Sequence, residues 1–163
     1  VNPPKHLAEF PSFTYDNVVS RLEKQGQTIS WGEDITGRAM AKLAKELGSF
    51  YFITDWPSSS KPFYIKPKLK NPKVCESFDL MYGPLELASG GSRVSSKSLL
   101  VKRLKEQKLR PQAFDYHLRA FDYGMPPHAG FGLGLERLMM VLTSQENIRE
   151  VTLYPRDKLR LVP

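Results

Sequence analysis

The stretch HAGFGLGLERLMM, residues 128–140, constrains this chain more than any other. Glycine stands at 130, 132 and 134. In a helix each would cost about 1 kcal/mol relative to alanine. In an extended segment, alternate residues point to one face, so the three together leave that face bare for a flat ligand. Leu135, Leu138, Met139 and Leu142 then recur at the spacing of a core-facing helical stripe. The segment is therefore predicted to be a strand running into a packed helix that begins near Leu133. Its glycine spacing is not the G-x-G-x-x-G of dinucleotide sites. Glu136 and Arg137 lie off the centre of the stripe, in turns where a cation opposes the helix macrodipole. Arg137 is thus either an ordinary surface arginine or one placed to stack on a purine or meet a terminal phosphate.

The rest of the chain alternates helices and short strands. Thr14 is placed to cap a helix carrying Val18, Val19 and Leu22 on one face, with Gly26 as its stop. A second helix is expected over about Gly37–Leu47, with Met40, Leu43 and Leu47 inward and Gly48 after it. FYFIT, residues 50–54, reads as a buried strand. Prolines at 57, 62, 67 and 72 make the following stretch a loop or edge strand. VCESFDLMY and PLELASGG read as two strands joined by a tight turn, followed by helices over roughly Lys97–Gln107 and Pro111–Tyr123 and a closing strand in IREVTLY. The expected fold class is α+β, an antiparallel sheet flanked by helices, in one domain without internal repeats.

A two-residue turn at Tyr82-Gly83 would set Asp79 directly across from Glu86 on one sheet face. Directly opposed like charges are destabilising unless a cation lies between them. A magnesium ion completed by nucleotide phosphates and water fits such a pair. A solvated face bridged by an arginine or lysine fits it too, and so does a general acid/base pair, although no nucleophile is nearby. In ASGGSRV, residues 88–94, Gly90 and Gly91 allow φ > 0 and close backbone approach to a ligand, and Arg93 can offer a two-pronged donor to a carboxylate or phosphate. The same residues also suit a sheet exit with a surface arginine.

Composition narrows the partners. A net charge of +7 and pI near 9.5 favour anionic partners, nucleotide or nucleic acid. The single cysteine, Cys75, points to a reducing, cytoplasmic setting. The histidines lack zinc-ligand spacing. No apolar run approaches the roughly 20 residues that cross a bilayer, so no membrane partner is expected.

Three stretches in order, SFDLMYGPLELASGGSR, AFDYGMPPHAGFGLGLERLMM and NIREVTLYPRD, resemble the C-terminal half of the catalytic domain of class II aminoacyl-tRNA synthetases, nearest the archaeal-type aspartyl enzymes. The resemblance runs from about Tyr15 to Pro163, and G-x-G-x-G-x-E-R resembles class II motif 3. It implies ATP and Mg²⁺ as cofactors, with Asp79 and Glu86 holding the metal. Gly130, Gly132 and Gly134 would line the adenine site with Glu86 and Arg137, and Arg137 would stack on adenine and reach the γ-phosphate. Arg93 would grip aspartate, with Ser89 beside it in the amino-acid site, so Arg93 and Arg137 are the implied catalytic residues. The implied reaction is activation of aspartate by ATP and transfer to tRNA. The archaeal aspartyl pattern commonly has glutamine where Ser92 stands and an acidic residue where Val94 stands, and a less basic stretch where Lys66, Lys68 and Lys70 stand. An asparaginyl-tRNA synthetase, an amidating asparagine synthetase relative, or a non-catalytic paralogue binding nucleotide, tRNA or a partner subunit are the alternatives. Motifs 1 and 2 and an anticodon-binding domain have no counterpart in these 163 residues. The resemblance therefore implies a fragment or a truncated relative, catalytically incomplete alone, that associates with itself or with a partner chain through a sheet edge.

Overall fold

The computed structural model describes residues 9–35 and 37–158. A five-stranded sheet in the order β1-β2-β3-β4-β5 organises them. Its strands are β1 (Ser12–Thr14), β2 (Phe50–Thr54), β3 (Ser77–Tyr82), β4 (Leu85–Ser92) and β5 (Ala129–Leu133). The sheet is mixed rather than wholly antiparallel. β1, three residues too few to register as a strand in the sequence, lies parallel to β2, and the other neighbours are antiparallel.

Helices α1 (Tyr15–Lys24) and α2 (Gly37–Leu47) form where the sequence places them. The Thr14 side chain accepts the Asn17 N–H, and Gly26, at φ 76°, turns the chain away after α1. Val18, Val19 and Leu22 meet Met40, Leu43 and Leu47 in the main core, with Tyr51, Ile53 and Trp56. A smaller cluster of Val94, Leu100 and Leu118, packed against Phe63, Phe114 and Phe121, seats α3 (Lys97–Glu106) and α4 (Asp115–Ala120). The helix expected over 111–123 is broken: 3₁₀ turns at Pro111–Phe114 and Phe121–Tyr123 flank α4. This path lets Phe114, Leu118 and Phe121 all reach one cluster.

Three further expectations are overturned. IREVTLY is not a strand: Asn147 caps a 3₁₀ turn at Ile148–Val151, bonding the Arg149 N–H, and this segment packs on α5 (Leu135–Thr143) instead of the sheet. The stripe on α5 is not packed: Leu135, Met139 and Leu142 are 62%, 37% and 38% exposed, and Val141 is the helix's buried residue. The periodicity is real, but among the described residues the 148–154 segment borders that face without burying it. The hairpin register also differs. Tyr82 pairs with Leu85, so Gly83 and Pro84 make the turn, and a bulge at Leu87 shifts the ladder beyond it.

β5 closes the sheet on one side. Hydrogen bonds from Gly134 N–H to Leu87 O and from Arg93 N–H to His128 O fix its phase against β4. By antiparallel alternation the glycines bond inward, while the backbone groups of Ala129, Phe131 and Leu133 face the open edge.

Candidate functional site

Register decides which side chains converge. Asp79 pairs with Ser89, which pairs with Gly132, so a single row across β3, β4 and β5 carries these three on one face. Glu86 lies opposite Met81, one row along the same face. The two carboxylates are therefore diagonal, not opposed as a Tyr82-Gly83 turn would require. The bulge at Leu87 has a further effect: without it, Ala88 rather than Ser89 would share the face with Glu86.

Each carboxylate has its own cation. Lys61 Nζ donates to Asp79 Oδ1 at 2.8 Å and Oδ2 at 2.7 Å, and lies 4.3 Å from the centre of the Trp56 ring. Asp79 is 2% exposed, which rules out a solvated face there. An unpaired carboxylate at such depth would be costly. Arg137, in the first turn of α5, donates from Nη1 to the Glu86 backbone carbonyl at 2.8 Å, with Glu86 Oε1 at 3.5 Å. No single cation bridges both acids.

The three glycines divide the work. A Cβ at 130 would come within 3.2 Å of Arg93 Nη2, and one at 134 within 3.3 Å of Arg137 Cδ. A Cβ at 132 would meet nothing within 4 Å. Gly130 and Gly134 thus make room for an arginine on each side, and Gly132 is the bare floor between them. Arg93 lies 4.7 Å from the Tyr64 ring centre, held over an aromatic face. Gly90 and Gly91 do not use the positive φ that was expected of them. A Cβ at 90 would sit 2.5 Å from the Phe131 Cβ, while one at 91 would strike the Glu76 carbonyl. The missing side chains let neighbouring segments approach one another, and Gly90 also borders the second cavity.

Two adjoining cavities of about 550 and 470 Å³ open over this face. Lys61, Glu86 and Arg137 line both; Asp79 and Trp56 belong to the first, and Ser89, Arg93, Gly132 and Gly134 to the second. Lys61 was not legible as a site residue, since a lone lysine in SSSKPF has no distinguishing spacing. At the rim, Lys66 hydrogen-bonds Glu76 and holds its carboxyl below the usual range, with Ser92 adding a second hydrogen bond. This pairing takes one of the loop lysines out of the pool of free positive charge.

Among the described residues no group of three or more acidic, histidine or cysteine side chains could hold a metal by itself, and no helix is long and apolar enough to cross a membrane. Mg²⁺ is usually bound through one or two carboxylates plus phosphate and water. The pair Asp79 and Glu86 meets that requirement in donor type and shared face.

The family of class II tRNA synthetases (D, K and N) matches residues 4–158. The aspartate--tRNA(Asp/Asn) ligase of Methanocaldococcus jannaschii is 50% identical over 161 residues, covering 99% of this chain and 36% of that protein. The aspartate--tRNA(Asp) ligase of Thermoplasma acidophilum is 46% identical over 154 residues. Among solved structures, the aspartyl-tRNA synthetase of Entamoeba histolytica superposes with a TM-score of 0.91 at 34% identity, over 96% of this chain and 33% of that one. The asparaginyl-tRNA synthetase of Pyrococcus horikoshii in complex with asparaginyl-adenylate gives 0.89 at 30% identity, over 96% and 36%. The chain spans about a third of the length of these relatives. With the sheet, the arginine-flanked glycine strand and the family match all in agreement, the chain belongs to the class II tRNA synthetases of the D, K and N group.

Proposed function

We propose that this chain forms the motif 3 part of an aspartyl-tRNA synthetase catalytic centre, which joins aspartate to ATP and passes the aspartyl group to tRNA. The observation that carries the reading is the bare Gly132 floor with Arg93 on one side and Arg137 on the other. A purine lies flat on a surface without side chains, and the Arg137 guanidinium supplies a planar cation to stack on it or meet its phosphates. Ser89, in register with Gly132, and Arg93 stand where an amino acid joined to that nucleotide would extend. Lys61 borders the same cavity.

In the reaction the aspartate α-carboxylate oxygen attacks the α-phosphorus in line, the bond to the bridging oxygen breaks, and pyrophosphate leaves with the electron pair. The ribose hydroxyl at the tRNA 3′ end then attacks the acyl carbon and AMP departs. Nothing on the chain forms a covalent intermediate; the chain positions the reactants and neutralises charge. Mg²⁺, held by Asp79 and Glu86, would neutralise charge on the polyphosphate. Lys61 donates to both Asp79 oxygens, so Asp79 would hold the ion only by sharing or releasing that ammonium.

Aspartate is favoured over asparagine by charge. Three cations line the second cavity: Arg93, Lys61, which Asp79 engages, and Arg137, which engages Glu86, so the two acids leave one positive charge in surplus. A side-chain carboxylate pairs with that surplus, whereas an amide would set its own N–H groups against donors. The setting proposed is the reducing cytoplasm, where the buried Cys75 thiol stays free. ATP–pyrophosphate exchange on the intact protein tests the assignment. Aspartate should support exchange at least 100-fold better than asparagine; equal exchange refutes the specificity, and nucleotide binding without exchange makes the chain a non-catalytic paralogue.

A further inference from the structure

The lysine shared by the two cavities sits in a loop with no regular structure of its own, residues 57–61. Two carbonyls of that loop point to α3, and α3 answers both. Arg103 Nη2 donates to the Ser58 carbonyl, and Gln107 Nε2 donates to the Lys61 carbonyl at 2.8 Å. Arg103 and Gln107 are four residues apart, hence on one face of the helix.

Arg103 is an expensive residue in this place. It is 5% exposed, its Nη1 pairs with Glu106 at 2.8 Å, and its Nε has no partner among the described residues. Burying a guanidinium with incomplete hydrogen bonding costs stability that an aliphatic side chain would not. Packing between Leu100 and Leu104 does not call for a charge, and Arg103's long donor fork reaches the loop where a leucine would not.

We propose that α3 is a clamp, with Arg103 and Gln107 as positioning residues that fix the backbone of the Ser58–Lys61 loop and so aim the Lys61 ammonium at the amino-acid side of the site. The head of Lys61 is held by Asp79 and by the Trp56 ring. Among the described residues its main chain is held where Gln107 grips it, and the other loop anchors, Ser58 N–H to Lys73 O and Ser60 N–H to Pro57 O, lie upstream. Releasing that grip lets the ammonium settle on Asp79 alone and withdraw from the substrate carboxylate. The inference rests on the proposed role of Lys61 toward aspartate.

The test compares Gln107→Met, which keeps the length and loses the donor, with Gln107→Lys, which restores a donor. Gln107 is half-buried at the end of α3, so both variants should fold. In the intact protein, Gln107→Met should raise KM for aspartate about tenfold, leave KM for ATP within twofold, and speed amide hydrogen exchange in residues 57–61; Gln107→Lys should return all three toward wild type. Unchanged aspartate KM, or aspartate and ATP KM rising together, overturns the clamp. Wild-type protein that supports no aspartate-dependent exchange refutes the function instead. Loop amide exchange then decides the clamp by itself, with equal rates in Gln107→Met and wild type overturning it.

Discussion

A methyl group at position 132 would meet nothing within 4 Å, yet the same group at 130 or 134 would press on an arginine. That asymmetry separates three residues that look equivalent in the sequence. The acidic pair makes a second residue-scale case. Asp79 is buried and bonded to Lys61, whereas Glu86 is half-exposed and keeps an oxygen for another partner. Glu86→Ala should therefore abolish the strengthening of ATP binding by Mg²⁺ while leaving metal-free ATP binding within a few-fold. A magnesium titration followed by calorimetry reads both; identical magnesium dependence in variant and parent removes Glu86 from the metal site. Arg93 and Arg137 were recognisable as candidates because Arg93 follows adjacent glycines and Arg137 stands in a helix first turn, where a cation opposes the macrodipole. Lys61 was not, because its position comes from tertiary contacts with Asp79, Trp56 and Gln107 that no local pattern encodes.

Among the elements, the β3-β4 hairpin places the chemistry, and its glycines can be told apart by substitution. Gly90→Ala forces a Cβ to 2.5 Å from Phe131 Cβ and 2.6 Å from the Gly130 carbonyl. Overpacking of this kind typically costs about 1–3 kcal/mol, or a fall in Tm of roughly 2–10 °C in a chain of this size. Gly132→Ala, in open space, should leave Tm within about 1 °C. Thermal unfolding monitored by circular dichroism checks the pair, and equal shifts contradict the packing account. The two central helices were legible because their apolar spacing, cap and glycine stops agree. The register was not. Tyr82-Gly83 and Gly83-Pro84 are both acceptable turns in the sequence, and the choice of the second, with Gly83 at φ 54°, depends on Tyr51 donating its hydroxyl to the Gly83 carbonyl at 2.6 Å across the sheet. Burial pushes the pKa of that hydroxyl up to about 12, so it remains a donor at any physiological pH.

At the scale of the whole molecule, two surfaces stand open: the β5 edge and the largely exposed apolar face of α5. Leu135, Met139, Val151, Leu153 and Tyr154 line a groove of about 360 Å³ there. The helical stripe was correctly periodic and wrongly expected to be covered, because a sequence of this length shows the pattern but not the element that packs on it. The relatives are nearly three times as long. We infer that the further length they possess supplies the cover. The 163-residue chain produced alone should pair with a second copy through β5, since an unprotected edge recruits strands. It should also activate aspartate negligibly, because losing even one preorganised transition-state contact typically costs a hundredfold or more. A monomer in light scattering contradicts the first expectation, and robust pyrophosphate exchange contradicts the second.

The central claim is that the Gly132 floor, between Arg93 and Arg137, holds an adenylate joined to aspartate. Calorimetric binding of a non-hydrolysable aspartyl-sulfamoyl adenosine to the intact protein tests it most directly. Wild type should bind, Gly132→Val should bind at least 100-fold more weakly with an unchanged Tm, and the asparaginyl analogue should bind wild type far more weakly than the aspartyl one. Undiminished binding of the aspartyl analogue to Gly132→Val would contradict the account.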